Sequence, residues 1–248
     1  MQETLREANE KLNNQAVKLE RLVAERTTLI GELEGFSYSV SHDMRAPLRA
    51  MQSYSQYLVD EYGGKLDEQG INYVHQIIRS AARLDRLTQD VLSYTRVIHT
   101  TLPMDRVDLD RLVRDIVETF SCGPIKPEIQ IKGTLPKVVA NLALLGQCIS
   151  NLLNNSAKFV SPGITPHVEI SAEAIDGGQI RMQFKDNGIG IAPQDHDRIF
   201  RLFERIHPAT EYEGTGIGLS IVRKAVERMG GQIGFESALG KGTDFWIH

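Results

Sequence analysis

His42 and Asp43 stand side by side in the stretch SVSHDMRAPLRAM, with Pro47 a helical turn further on. An imidazole is a neutral nucleophile near neutral pH, and a carboxylate beside it offsets the cation formed when a ring nitrogen attacks an electrophile. Taken alone, such a pair is ordinarily a solvated surface pair. A second group of chemistry-bearing residues is spread over NLLNNSAKF, DNGIGI, GTGIGL and GKGT, which are richer in Asn, Asp and Gly than packing requires. Asn151 and Asn155 fall on one helical face with Lys158 a turn beyond, so the face offers oxygen to a metal and charge to a phosphate. A solvated helix surface is the bland alternative for such a pair. Asp186 closes a strand and is followed by Gly188 and Gly190, which let the backbone approach a ligand, and a carboxylate there can accept from an amino group such as that of adenine. Gly214, Thr215, Gly216, Gly218 and Leu219 precede an amphipathic helix, and amides at such a helix start suit phosphate oxygens. The loop lacks the lysine of a P-loop and does not follow a strand of a βαβ unit, which excludes Walker and Rossmann sites.

These residues need elements to hold them. Residues 1–41 carry a heptad pattern: Leu5, Leu12, Leu19, Leu33 and Val40 on one seam position, broken by Arg26, and Asn9, Ala16, Val23 and Ile30 on the other. That pattern predicts a parallel coiled coil and hence a dimer, with Met44 also on the seam and His42 facing away from it. A helix resumes from Ala50 to Tyr62, YGGKLDEQG breaks it, and a second helix starts near Asp67 or Glu68 with Ile71, Val74, Ile78, Ala81, Leu84, Leu87 and Val91 on its apolar face. Two such hairpins side by side make a four-helix bundle. Pro103 ends the helical part, after which Leu109 to Phe120 reads as a helix and EIQIKG, HVEISAEA, IRMQFKD, IGFES and TDFWIH read as strands. The fold class is therefore α plus α+β: a coiled coil and helical hairpin followed by an α/β sandwich, divided at 1–35, 36–102 and 103–248.

Composition narrows the function. The chain has 248 residues, 41% hydrophobic, and 28 Lys and Arg against 32 Asp and Glu give a net charge of −4, which speaks against a nucleic-acid binder. The two cysteines, Cys122 and Cys148, are too few for a disulfide framework and point to a reducing, cytoplasmic setting. The sequence has no apolar run of membrane-spanning length, so no membrane contact by this chain is expected.

In combined order, SHDMRAPL, NLLNNSAKF, DNGIGI, RIFRLFERIH, GTGIGL and GKGT resemble the catalytic core of a two-component sensor histidine kinase over about residues 36 to 247. RLFERIHPATEYEGTGIGLSIV is similar to kinases attached to phytochromes and related photoreceptors. The resemblance implies a dimerisation and histidine-phosphotransfer hairpin joined to a Bergerat-type ATP-binding domain, with a coiled-coil signalling linker ahead. It implies His42 as phosphoacceptor, Asp43 as the group that orients or deprotonates it, and Arg205 as the residue that reaches the γ-phosphate. Asn155 is then the Mg²⁺ ligand, Lys158 a phosphate contact, Phe159 an adenine-packing residue and Asp186 the acceptor for the adenine amino group. Gly188, Gly190, Gly214, Thr215, Gly216, Gly218, Leu219 and Thr243 complete the nucleotide loops. Asn151 stands where related ATPases place a glutamate base, and its amide takes no proton from water, which favours phosphoryl transfer over hydrolysis. The stretch from Ala192 to Gly214 is the expected ATP lid, with Phe200 and Phe203 as hydrophobic anchors. The implied partners are a second copy, a response-regulator receiver domain and an upstream sensor outside this chain. Many family members carry Thr or Asn where this chain has Ala46, so phosphatase activity toward the receiver is expected to be poor. A dimeric scaffold without catalysis and a chaperone-type ATP hydrolase are the competing readings.

Overall fold

The computed structural model describes residues 2–99, 103–121, 127–207 and 211–248. Helix α1 spans Gln2–Tyr62 and runs uninterrupted through Pro47. Proline has no N–H, so the carbonyl of Asp43, one turn earlier, has no donor from that position. A short turn at Gly63–Lys65 leads to α2, Glu68–His99, and Asp67 caps it by accepting from the Gly70 amide at 2.7 Å. The hairpin closes on Leu48 of α1 and Val74, Ala81 and Leu92 of α2, all buried. The side chains of Leu5, Asn9, Leu12, Ala16, Val23, Arg26, Ile30 and Leu33, on which the expected seam mostly rests, lie outside the described residues. Among those described, Leu19 is exposed, and so are Val40 and Met44 further on.

Strand β1 (Asp105–Asp108) pairs antiparallel with β3 (Lys137–Ala140), and α3 (Leu109–Ser121) and β2 (Glu128–Ile131) lie between them in sequence. Helix α4 (Leu142–Lys158) starts at Asn141, whose side chain accepts from the Leu144 amide at 3.0 Å and donates to the Pro103 carbonyl at 3.0 Å. Strands β4 (His167–Ile175), β5 (Gln179–Asp186), β6 (Ile233–Ser237) and β7 (Thr243–Ile247), with α5 (Gly218–Arg228) before β6, complete the order. The main sheet runs β2-β4-β5-β7-β6, with β2 parallel to β4 and the other pairs antiparallel. Its inner face alternates as a half-buried sheet must: Val168 and Ile170, Met182 and Phe184, Phe245 and Ile247 point to the core. Against them lie Cys148, Ile149, Leu152 and Leu153 of α4 and Ile221, Val222 and Ala225 of α5. Burial pushes the Cys148 thiol up to about 12. On the outer face Trp246 lies against Gly234, with the Arg181 guanidinium 4.9 Å from its ring and His248 stacked at 5.1 Å.

The two parts touch. Leu87, Val91, Tyr94 and Val97 of α2 pack onto the core of the sandwich, and Arg228 donates to the Val97 carbonyl at 2.6 Å.

Candidate functional site

Between α2 and the open edge of the helical layer lies a cavity of about 590 Å³. Asn151, Asn155, Lys158, Phe159, Asp186, Gly188, Gly190, Arg205, Gly214, Thr215, Gly216, Gly218, Leu219 and Thr243 all line it. His42 and Asp43 are not among the lining residues; they stand exposed on α1, with His42 Nδ1 3.2 Å from Asp43 Oδ1. With Nδ1–H donating to the carboxylate, Nε2 keeps its lone pair.

One end of the cavity is a fixed carboxylate. Asp186 Oδ1 accepts from the amides of Gly188 and Thr243, each at 2.9 Å, and Oδ2 accepts from the Ser156 hydroxyl at 3.1 Å. Burial pushes its pKa above the usual carboxylate range, against the pull of those bonds. The chain passes so close to the β6–β7 turn that a Cβ on Gly190, at φ 70°, would lie 2.0 Å from the Ala238 carbonyl oxygen.

The other end is cationic and loop-built. Lys158 is pushed down to about 8, first by burial and then by Arg205 and Arg86 nearby. Its ammonium sits over the Phe159 ring at 3.9 Å, and that ring also meets Tyr212 at 5.3 Å and His207 at 6.0 Å. Arg205 donates to the Tyr212 carbonyl at 2.7 Å, and the Tyr212 hydroxyl to the Val160 carbonyl at 3.1 Å, so the segment after β5 folds back over the cavity. Phe200 packs edge-on against Phe235 at 5.9 Å, but Phe203 is half exposed at φ 62° and, among the described residues, is not packed on the core, a correction to its expected role as an anchor. The tight turn at Gly216, φ 77°, has no room for a side chain: a Cβ would meet the Glu204 carbonyl oxygen at 2.7 Å. Helix α5 begins at Gly218, two residues beyond that turn, and its first residues, Gly218 and Leu219, line the cavity.

On α4, Asn151 donates to the Gln147 carbonyl at 3.0 Å, which turns its Oδ1 toward Gly218. The Asn155 side chain makes no hydrogen bond to the described residues, so its oxygen is free for a cation. One amide oxygen, supplemented by phosphate oxygens and water, suits Mg²⁺, which is usually held by few protein ligands.

Sequence reading missed two parts of this site. Ser156, within NNSAKF, is the third hand on Asp186. The whole α2 wall was missed too: Arg79, Arg83, Arg86 and Asp90 line the cavity, Arg86 pairs with Glu213 at 2.7 Å, and Asp90 accepts from the Thr215 hydroxyl. Their spacing of four, three and four residues is a helical stripe, a signal available in the sequence.

Residues 140–248 match the family described as Histidine kinase-, DNA gyrase B-, and HSP90-like ATPase, and residues 32–99 match the His Kinase A (phospho-acceptor) domain. Cyanobacterial phytochrome B of Nostoc sp. is 36% identical over 222 residues, 87% of this chain and 29% of that protein. Cyanobacterial phytochrome A of the same organism is 32% identical over 239 residues, 94% of this chain and 30% of that one. A crystal structure of full-length ShkA in complex with AMPPNP superposes with a TM-score of 0.63 at 31% identity, covering 85% of this chain and 44% of that chain. The chain thus spans about a third of the length of these two phytochromes. Among the described residues, no helix is long and apolar enough to cross a membrane.

Proposed function

The chain carries the catalytic core of a sensor histidine kinase, and from that premise we propose that it phosphorylates its own His42 from Mg-ATP and passes the phosphoryl group to an aspartate of a response-regulator receiver domain. The observation that carries this reading is the separation of parts: a cavity lined by Asn155, Asp186 and the glycine loops of the sandwich and walled by α2, and an exposed imidazole with its own carboxylate on α1, outside that lining. In this reading Asp186 accepts from the adenine amino group, held immobile by Ser156 and two amides so that it meets the base without reorganising. Lys158, Arg205 and the amides before α5 take the phosphates. Asn155 is the residue that would hold Mg²⁺, which would supply charge neutralisation at the phosphates.

His42 Nε2 attacks the γ-phosphorus while the bond to the β–γ bridging oxygen breaks and ADP leaves with that electron pair. Asp43, on Nδ1, offsets the imidazolium charge and accepts its proton. Asn151 has no proton-accepting capacity to activate water, so the phosphoryl group goes to a held nucleophile rather than to solvent. A second copy completes the bundle: Met51, Leu58, Tyr73, Ile77 and Leu84 form exposed apolar stripes along α1 and α2, continuous with Val40 and Met44.

Incubation with γ-labelled ATP tests the reading. The expected product is an acid-labile, base-stable label on the wild-type chain, absent from His42→Gln, which still binds nucleotide because His42 is not among the residues lining the cavity. Released inorganic phosphate without protein label would make the chain a hydrolase, and neither product a scaffold.

A further inference from the structure

The stripe on α2 has a feature that the nucleotide loops do not explain. Arg79, Arg83, Arg86 and Asp90 occupy one face of the helix, and all four border the cavity although none belongs to the ATP-binding domain. Two of the four are committed: Arg86 to Glu213 at 2.7 Å, and Asp90 to the Thr215 hydroxyl. Those contacts fix which end of the cavity the helix faces. Thr215 belongs to the loop before α5, and Arg86 is close enough to Lys158 to help drive its amine down, so the stripe meets the end where phosphates would lie. Arg79 and Arg83 make no ion pair or hydrogen bond to the described residues. A row of charges on a helix is ordinarily a solvated face, but here the face is turned onto another domain. Leu87, Val91, Tyr94 and Val97 pack into the sandwich core, and Arg228 holds the Val97 carbonyl at 2.6 Å. Two exposed, unpaired guanidiniums thereby border the cavity that Lys158 and Arg205 also line. Arg86 is paired with Glu213, and Asp90 and Glu213 offset part of the charge on Lys158, which leaves the guanidiniums of Arg79 and Arg83 as donors for an anion with several oxygens.

We propose that Arg79 and Arg83 are nucleotide-binding residues that take the polyphosphate chain when the ATP-binding domain is seated on α2, so that both domains build the phosphate wall. This rests on the nucleotide reading of the cavity given above. Guanidiniums suit the task because their planar forks present paired donors to phosphate oxygens.

The test is equilibrium binding of ATP and of adenosine to the full chain and to the double variant Arg79→Gln, Arg83→Gln, with Arg49→Gln on α1 as the control for loss of an exposed arginine. The expected result is an ATP Kd raised about tenfold in the double variant, equivalent to about 1.4 kcal/mol. Its dependence on salt should be shallower. Adenosine should bind equally to all three proteins, which also shows that the variant is folded. An unchanged ATP Kd overturns the proposal, and so does an equal loss for ATP and adenosine, which would mark a structural effect. A wild-type chain that binds neither ligand would overturn the nucleotide reading itself, whereas wild-type binding without a variant effect removes only the role of α2.

Discussion

Lys158 is the residue whose charge the site controls most directly. Its amine is pushed down to about 8 by burial and by the neighbouring Arg205 and Arg86, with Asp90 and Glu213 pulling the other way. A bound polyphosphate favours the ammonium form. Below about 8 the free protein already carries that proton; above it, binding must take one up, and ATP affinity falls by up to about tenfold per pH unit. Titrations of ATP from about pH 7 to about pH 9 should therefore weaken in the wild type and stay nearly flat in Lys158→Arg, whose guanidinium keeps its charge. Equal slopes would remove Lys158 from the phosphate end. Ala46 makes the second residue-scale prediction. Its methyl, exposed one turn beyond His42, cannot position a water, so the chain should dephosphorylate a phosphorylated receiver slowly. Ala46→Thr or Ala46→Asn should accelerate that reaction several-fold in a phosphate-release assay, and fast release by the wild type would contradict the argument.

Helix α4 carries the polar face expected to meet metal and phosphate, since Asn151, Asn155 and Lys158 project from it while Ile149, Leu152 and Leu153 anchor its other face in the core. Its start depends on Asn141, which caps the first turn and also ties down Pro103. Asn141→Ala should cost about 1 kcal/mol and lower the melting temperature of the sandwich by about 2–4 °C, read by calorimetry. A change within error would make the cap dispensable. The long elements of this layer were legible because they repeat: α3 and α5 show an apolar stripe, and β4, β5 and β7 alternate over enough positions to be read. Strands β1 and β3 were not legible. Neither DRVD nor KVVA alternates as EIQI of β2 does, and each is defined by pairing with the other across α3 and β2. The nucleotide loops could be read from their glycines and Asp186, because those residue types serve local backbone needs. The arginines of α2 form a stripe visible in the sequence, but the meaning of that stripe comes from a domain that packs against it rather than from its own neighbours in sequence.

At the scale of the molecule, α1 runs 61 residues without interruption, about 90 Å at the usual rise, and carries His42 two thirds of the way along. A helix of that length is a rod along which rotation at one end reaches the other. Inserting a whole heptad before Thr28 turns the histidine face by only about 20°, whereas a single inserted residue turns it by about 100°. In variants first shown to be dimeric, the heptad should preserve self-phosphorylation and the single residue should change it several-fold; equal activities would make residues 1–35 a passive tether. The placement of the single tryptophan gives the molecule one more property. Trp246 sits on the outer face of the sheet beneath Arg181 and His248, far in sequence from the hairpin, while α1 and α2 hold much of the helix. Indole emission therefore reports the sandwich, and far-ultraviolet dichroism is weighted toward the hairpin. If the contacts of α2 with the sandwich fuse the two into one cooperative body, the two optical signals lose their native values at the same temperature; if the seat is weak, the chain melts in two colours.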